Sequence, residues 1–328
     1  MASASRLATA LADGSLDLPA GPVTVYRPEI ETDLAALEGR ALHLQHTVAP
    51  TVTAFAAAGH DIGRDAPQTP VSLVVVPRFK GLARALVARA AATSDLTLVD
   101  GQRLDGVDSL FDACRKRLGP LPSVAKAKGR LFWLPRTDAF ADWAVDAPER
   151  GAEGFYTTAG VFSDGAVDRG SRLLAEALPA KLPGHVVDLG AGWGYLSAAI
   201  LARGGVTRLD LVEAEALALD CARLNVTDPR ARFHWADALE VRLDAPADAV
   251  VMNPPFHAGS KGAPALGQGF IAAAARLLHP NGALWMVANR HLPYEATLRA
   301  QFRRVEELPG DGAFKLFHAS RPVTDRRR

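Results

Sequence analysis

The sequence predicts an α/β protein whose mainly parallel sheet is covered by helices on both faces, with a weaker, shortened copy of the arrangement in the first half. Three observations lead there. Short apolar runs alternate with helical patterns of about ten residues, the rhythm of strand–helix–strand units. A glycine-rich turn, Asp188-Leu189-Gly190-Ala191-Gly192-Trp193-Gly194, lies directly between one such run and the next helical pattern. And two strand ends are alike, VVVPRFK at 74–80 and VVMNPPFH at 250–257.

The second half reads as follows. Val186–Leu189 is a short apolar strand ended by Gly190, and Tyr195–Ala202 a helix. Arg208–Glu213 is the next strand, Glu215–Leu224 a helix and Arg232–Trp235 a brief strand. Ala249–Met252 is a buried-type strand stopped by Pro254-Pro255. Gly269–Leu278 is a helix closed by Pro280-Asn281-Gly282, a strong breaker. Ala283–Ala288 is a strand, Tyr294–Phe302 a helix and Phe314–Ala319 a final strand. The first half echoes this more weakly, with strands at Val71–Val76, Leu96–Val99 and Leu131–Leu134 and helices at Gly81–Ala92 and Val107–Leu118. A duplication with a shortened first copy is expected, divided near residue 147 into 1–147 and 148–328.

Composition narrows the function classes. The 328 residues are 48% hydrophobic and 22% charged, and their length suits two domains at roughly 150 residues each. No apolar run reaches the ~18 residues that cross a bilayer. Met1–Ala12 lacks a basic segment followed by an apolar core, so no signal peptide is read. Cys114 and Cys221 have no metal-type spacing, which argues against a disulfide scaffold and a zinc site. A cytoplasmic protein with no metal and no membrane contact is expected. Net charge is +1, but Arg115, Lys116, Arg117, Lys126, Lys128, Arg130 and Arg136 follow one another with no acid between. That stretch suits either a solvated surface or phosphate contacts.

Two motifs carry chemistry. The glycine turn lets a ligand approach the backbone at the carboxyl edge of a parallel sheet. Tyr195 occupies the place of the last glycine of a nicotinamide fingerprint, so the pattern is D-x-G-x-G-x-G instead. Glu213 ends the next strand 19 residues after Gly194, where a carboxylate receives the two hydroxyls of a ribose. The second motif is Asn253-Pro254-Pro255-Phe256-His257. Its prolines stiffen the chain and leave the Asn253 amide oxygen and the Pro254 carbonyl as two acceptors, which suits an exocyclic amino group. Phe256 offers a face on which a planar base can stack.

VVDLGAGWGYLS followed by VVMNPPFH resembles the class I S-adenosylmethionine-dependent methyltransferases, and more narrowly the RsmC/RlmG family of ribosomal RNA guanine-N2 methyltransferases. Supporting stretches are Gly160-Val161-Phe162-Ser163 with Asp168, Gly170 and Ser171, then VANRHLPY at 287–294 and Gly312–Phe317. The resemblance is dense over about 155–320 and thin before it. It implies a duplicated Rossmann-like sheet with a degenerate N-terminal copy, S-adenosylmethionine as cofactor, ribosomal RNA or an assembled subunit as partner (16S RNA favoured), and a monomer. It implies that Asp188, Gly190 and Gly192 surround the methionine part of the cofactor. Glu213 then holds the ribose, Asp237 meets the adenine amino group, and Phe162 and Ser163 close over the cofactor.

By the same resemblance Asn253 borders both cofactor and base, and Asn253, Pro254 and Phe256 carry catalysis. Pro255 and His257 adjoin the base, although His257 suits a capping role equally well. Lys126, Lys128 and Arg130 are the candidate RNA contacts of the first domain, and Lys315 is a candidate phosphate contact or a solvated strand end. Pro77-Arg78-Phe79 replaces the Asn-Pro-Pro triplet in the first copy, which is expected neither to bind cofactor nor to catalyse. Methylation of adenine N6 or glutamine N5, and an inactive RNA-binding scaffold, are the alternatives.

Overall fold

The computed structural model describes residues 5–145, 147–162, 166–255 and 259–323, with backbone alone for 259–263. The chain divides into two compact units, Met1–Ala147 and Pro148–Arg328. Among the described residues, no helix is long and apolar enough to cross a membrane.

The first unit opens with helix α1 (Arg6–Ala12) and builds one sheet from β1 (Val23–Tyr26), β2 (Leu42–Gln45), β3 (Ile62–Gly63), β4 (Val71–Val75), β5 (Leu96–Gln102), β6 (Ser123–Lys126) and β7 (Gly129–Pro135). Helices α2 (Ala49–Ala57), α3 (Lys80–Thr93) and α4 (Val107–Leu118) make the crossovers. The strand order is β3-β2-β1-β4-β5-β7-β6, parallel except for β7, which runs antiparallel to both neighbours.

The second unit begins with a small hairpin, β8 (Glu149–Arg150) and β9 (Tyr156–Thr157), then helix α5 (Arg169–Ala177). Its sheet comprises β10 (His185–Leu189), β11 (Arg208–Glu213), β12 (Ala231–Trp235), β13 (Ala247–Met252), β14 (Leu278–Asn289), β15 (Phe302–Leu308) and β16 (Phe314–Pro322). Helices α6 (Tyr195–Leu201), α7 (Ala216–Asn225), α8 (Gly259–Leu277) and α9 (Glu295–Gln301) alternate with them. The order β12-β11-β10-β13-β14-β16-β15 repeats that of the first unit strand for strand. Val187, Leu189, Val250 and Met252 pack with Phe270, Ile271 and Leu298 on one face. Val186, Leu211 and Val251 pack with Leu174, Ile200 and Leu219 on the other. Burial of both faces explains why these strands read as unbroken apolar runs.

The first copy is shorter in residues, Met1–Ala147 against Pro148–Arg328, but not in its main sheet, because each unit builds one seven-stranded sheet of the same order. The strands missed have physical reasons to be faint. β2 (LHLQ) alternates polar residues, β3 is two residues long, and β6 (SVAK) is a half-buried edge inside the basic stretch. β15 (FRRVEEL) exposes Arg303, Arg304, Glu306 and Glu307, the charged dress of an edge strand.

Within the second sheet, Asp210 of β11, opposite Val187 of β10, is completely buried. His185 Nε2 (2.5 Å) and His234 Nε2 (2.6 Å) donate to its two oxygens, and the Arg208 guanidinium lies within 2.7 Å. Burial alone would raise the Asp210 carboxyl, but these donors outweigh it and hold the group far below its ordinary value of 3.8. Its stabilising contribution is therefore complete above about pH 4 and is lost as pH falls further. Asp210→Asn leaves the donors without a charged partner and is expected to cost about 3 kcal/mol. Urea unfolding at pH 7 measures this, and an unchanged midpoint would mean that the cluster contributes nothing.

Candidate active site

Strand order reverses between β10 and β13, which pair in parallel with Asp188 opposite Val251. Crossover connections leave this junction toward opposite sides, so a crevice opens beyond the two carboxyl ends, where sheets of this kind bind ligands. The glycine turn follows β10 and Asn253 follows β13. The crevice is lined by Phe162, Asp168, Ser171, Gly190, Gly192 and Asn253 among others.

The turn depends on backbone that only glycine adopts readily. Gly190 has φ +81°, and a Cβ there would lie 3.2 Å from the Phe270 ring. The Gly192 N–H donates to Glu213 Oε2 at 2.8 Å, while the Glu215 N–H donates to Oε1 at 2.8 Å. The Glu213 carboxylate is thus held from behind by two backbone donors, with lone pairs to spare on both oxygens. Burial pushes its pKa up, and the two N–H groups oppose the shift.

Asp188 is fully buried, accepts from Ser197 Oγ at 2.6 Å through Oδ2, and leaves Oδ1 without a hydrogen bond among the described residues. Burial raises its pKa to about 7, against the Ser197 bond and with the help of the Glu213 charge. A buried acceptor of this kind is costly unless a ligand meets it.

Asn253 is held just as firmly. Its Nδ2 donates to Asp168 Oδ2 (2.9 Å) and Ser171 Oγ (2.8 Å), which uses both amide hydrogens. Asp168 is fixed in turn as the N-cap of α5, accepting from the Ser171 N–H at 2.9 Å. A carboxylate can only accept, so the amide cannot turn over without facing oxygen to oxygen. The Asn253 Oδ1 is therefore directed away from Asp168, and it is buried without a partner among the described residues.

An aromatic wall braces the turn. Trp193 packs with Phe155 and Tyr195, and its Nε1 donates to the Phe162 carbonyl at 3.1 Å. Asn225, closing α7, donates to the carbonyls of Trp193 and Tyr156 and accepts from the Tyr156 N–H. The Phe162 side chain stays 41% exposed beside the crevice.

The structure thus brings Phe162, Asp188, Gly190, Gly192, Glu213 and Asn253 together at one strand junction. Pro254 is buried and Pro255 exposed. Asp237 lies in the turn after β12, two residues beyond Trp235, the register partner of Glu213; its Oδ1 accepts from the Leu239 N–H. Ser163, Phe256 and His257 lie outside the described residues. Lys315 is largely buried and forms an ion pair with Glu295, so it is not a solvated strand end.

The basic stretch is acid-free only along the chain. Arg130 meets Asp108 at 2.8 Å and lies over the Phe111 ring, and Arg117 pairs with Asp142. Lys126 and Lys128 flank the β6–β7 turn, where Lys128 is exposed. Asp168, Ser171 and Asn225 were not singled out as site residues in the sequence. The one legible signal was Asp168 three residues ahead of Ser171, a helix-cap spacing.

Because its carboxyl is raised, Asp188 keeps a proton in the folded state between about pH 4 and about pH 7 that the unfolded chain has released. It therefore lowers the stability of the unliganded protein as pH rises through that window. Asp188→Asn is expected to narrow the difference in melting temperature between pH 5 and pH 8. An equal difference in both proteins would show that Asp188 titrates normally.

The methyltransferase small domain family matches residues 153–318. Ribosomal RNA small subunit methyltransferase C of Shewanella amazonensis is 30% identical over 274 residues, 79% of each chain. Its counterpart in Hahella chejuensis is 32% identical over 257 residues, 76% of this chain and 68% of that one. Among solved structures, the T. thermophilus 16S rRNA N2 G1207 methyltransferase (RsmC), in complex with AdoMet and guanosine, superposes with a TM-score of 0.77 at 23% identity. The match covers 95% of this chain and 91% of that one. With a methyltransferase small domain over half its length and relatives of this closeness, the chain belongs to the family of the ribosomal RNA small subunit methyltransferases C.

Proposed function

We propose that the protein transfers the methyl group of S-adenosylmethionine to the exocyclic N2 amino group of a guanosine in small-subunit ribosomal RNA. The observation that carries this reading is the Asn253 amide, whose nitrogen is spent on Asp168 and Ser171 and whose buried oxygen has no partner. Such an oxygen suits an amino group presented by a planar base. The names borne by the relatives, and the guanosine held by the T. thermophilus protein, favour guanine N2 over adenine N6 or glutamine N5.

The residues present fit the cofactor. S-adenosylmethionine, when bound, supplies a methyl group activated by a sulfonium. Glu213 has an acceptor to spare on each oxygen for the ribose hydroxyls, and Asp237 meets the adenine amino group. The unpartnered Asp188 Oδ1 and the backbone from Gly190 to Gly192 hold the methionine part, where a cationic amine stabilises the ionised carboxylate. Phe162 and Ser163 cover it.

On the substrate side, Asn253 Oδ1 and the Pro254 carbonyl each receive an N–H of the guanine amino group, aiming the nitrogen lone pair at the methyl group. Phe256 stacks on the base, and Pro255 and His257 border it. Positioning is the main contribution of the protein. The methylated nitrogen releases its proton to water, so no general base is required. Guanine N2 pairs with cytosine in a duplex, so the target must be unpaired or flipped out.

The first unit is proposed to support RNA binding without chemistry. No glycine turn follows β1; Arg27 stands there instead, with φ +57° and a hydrogen bond to Thr47. Lys128, exposed at the β6–β7 turn, is the cation proposed to meet phosphate, whereas Lys126 Nζ donates to Thr9 Oγ1 and Arg130 is engaged with Asp108.

The two halves of the site are separable by substitution. Asn253→Ala is expected to lower methyl transfer to ribosomal RNA by about 100-fold or more, through loss of alignment, while S-adenosylhomocysteine binding stays nearly intact. Glu213→Ala removes a charged acceptor worth about 1.5–3 kcal/mol and is expected to weaken that binding at least about tenfold. Calorimetry and a tritium-transfer assay read the two effects. Full activity of the Asn253 variant would remove the basis of the proposal.

A further inference from the structure

We infer that the groove between α3 and α4 of the first unit binds the phosphate backbone of the ribosomal RNA substrate. This rests on the functional reading above. The groove opens at the end of β4, where Pro77-Arg78-Phe79 stands in the place that Asn253-Pro254-Pro255 occupies after β13. It runs as a trough of about 830 Å3 past Lys80, Arg84, Lys116, Arg117 and Trp143.

Its charge is one-sided. Each acid along it faces an arginine: Asp105 with Arg78 (3.1 Å), Asp112 with Arg115 (3.9 Å) and Asp142 with Arg117. Lys80, Arg84 and Lys116 are left over, and Lys80 and Lys116 are exposed with no acidic partner among the described residues. The groove's own lining holds four cations against two acids, a surplus that stands out in a chain whose net charge is only +1. Arg84 and Arg117 lie over the same Trp143 ring, at 5.0 and 4.5 Å, which fixes their guanidinium groups before anything binds.

Apolar surface lies next to these cations. Leu104, 90% exposed, lines an adjoining pocket together with Arg78, Lys80 and Arg84, and Phe79, between Arg78 and Lys80 in the chain, is 43% exposed. An aromatic ring beside a line of cations is the arrangement that receives single-stranded nucleic acid, the bases stacking while the cations follow the backbone. A folded acidic protein would match the charges and leave the ring unused. The strand end that presents acceptors to a base in the second unit has thus become, in the first, a phosphate-binding rim.

Lys80→Glu with Lys116→Glu tests this, with the milder Lys80→Gln/Lys116→Gln pair as a second variant should the first fail to fold. Binding to 16S rRNA transcript and to isolated small subunits is measured across a salt series, beside calorimetry with S-adenosylhomocysteine. The reversal is expected to weaken RNA binding about tenfold or more and to flatten the log–log salt slope by about 1.4, at about 0.7 per phosphate contact on a single strand. Cofactor affinity should not move. Wild-type binding with an unaltered slope in the variants overturns the groove alone. Loss of subunit binding with normal transcript binding also overturns it, by assigning the groove to a ribosomal protein. Wild-type protein that neither binds nor methylates RNA overturns the functional reading itself, and the groove with it.

Discussion

The reversal of strand order between β10 and β13 is the constraint on which the site depends. Crossovers that leave a parallel sheet in opposite directions cannot cover the junction between them, so a crevice forms there whatever the side chains. Everything assigned to cofactor or base stands at the carboxyl ends of β10, β11, β12 and β13 or just before α5. The sheet thus supplies position, and the chemistry of the loops acts on what it positions. Core burial on both faces of these strands keeps the strand ends in register.

Polar groups inside the crevice then follow a single rule, that each is tied on one side and open on the other. Glu213 is anchored by the Gly192 and Glu215 N–H groups, Asp188 by Ser197, and Asn253 by Asp168 and Ser171. Each anchor removes rotational freedom before a ligand arrives, so less ordering remains to be done on binding. The open atoms, Asp188 Oδ1 and Asn253 Oδ1, are destabilising in the unliganded protein and become satisfied only when partners enter. The same atoms therefore lower stability and raise ligand selectivity.

Much of this was legible in the residues. The runs at 186–189 and 249–252 named the central strands because strands buried on both faces carry no polar alternation. The glycine turn and the Asn-Pro-Pro triplet named the two strand ends that meet. What escaped was whatever depends on tertiary partners. Asp168 and Ser171 look like an ordinary helix start, and only the fold reveals that they lock Asn253, 85 and 82 residues away. The stretch 115–136 looked like one basic patch because its acids, Asp108 and Asp142, lie outside it in sequence. Polar or very short strands such as β2, β3 and β6 hold their places through sheet pairing, which no local pattern records.

The two units separate what a sheet requires from what a site requires. Their seven strands share order and sense, and the interiors of β1, β4, β10 and β13 are buried almost throughout. A change of volume there costs about 2–5 kcal/mol for a large-to-small substitution, which holds the interiors to similar apolar runs. The strand ends face a crevice and escape that penalty. After the first strand, Gly190 is matched by Arg27, both with positive φ. The second strand ends in Glu213 in one unit and in Gln45 in the other. The fourth is followed by Asn253 in one and by Pro77 in the other. The position keeps its left-handed backbone while glycine is replaced by a cation that hydrogen-bonds Thr47. The carboxylate becomes an amide whose nitrogen donates to the Arg64 carbonyl. Divergence of the strand ends and retention of a fold are thus compatible in one chain, because the two properties reside in different atoms of the same strands.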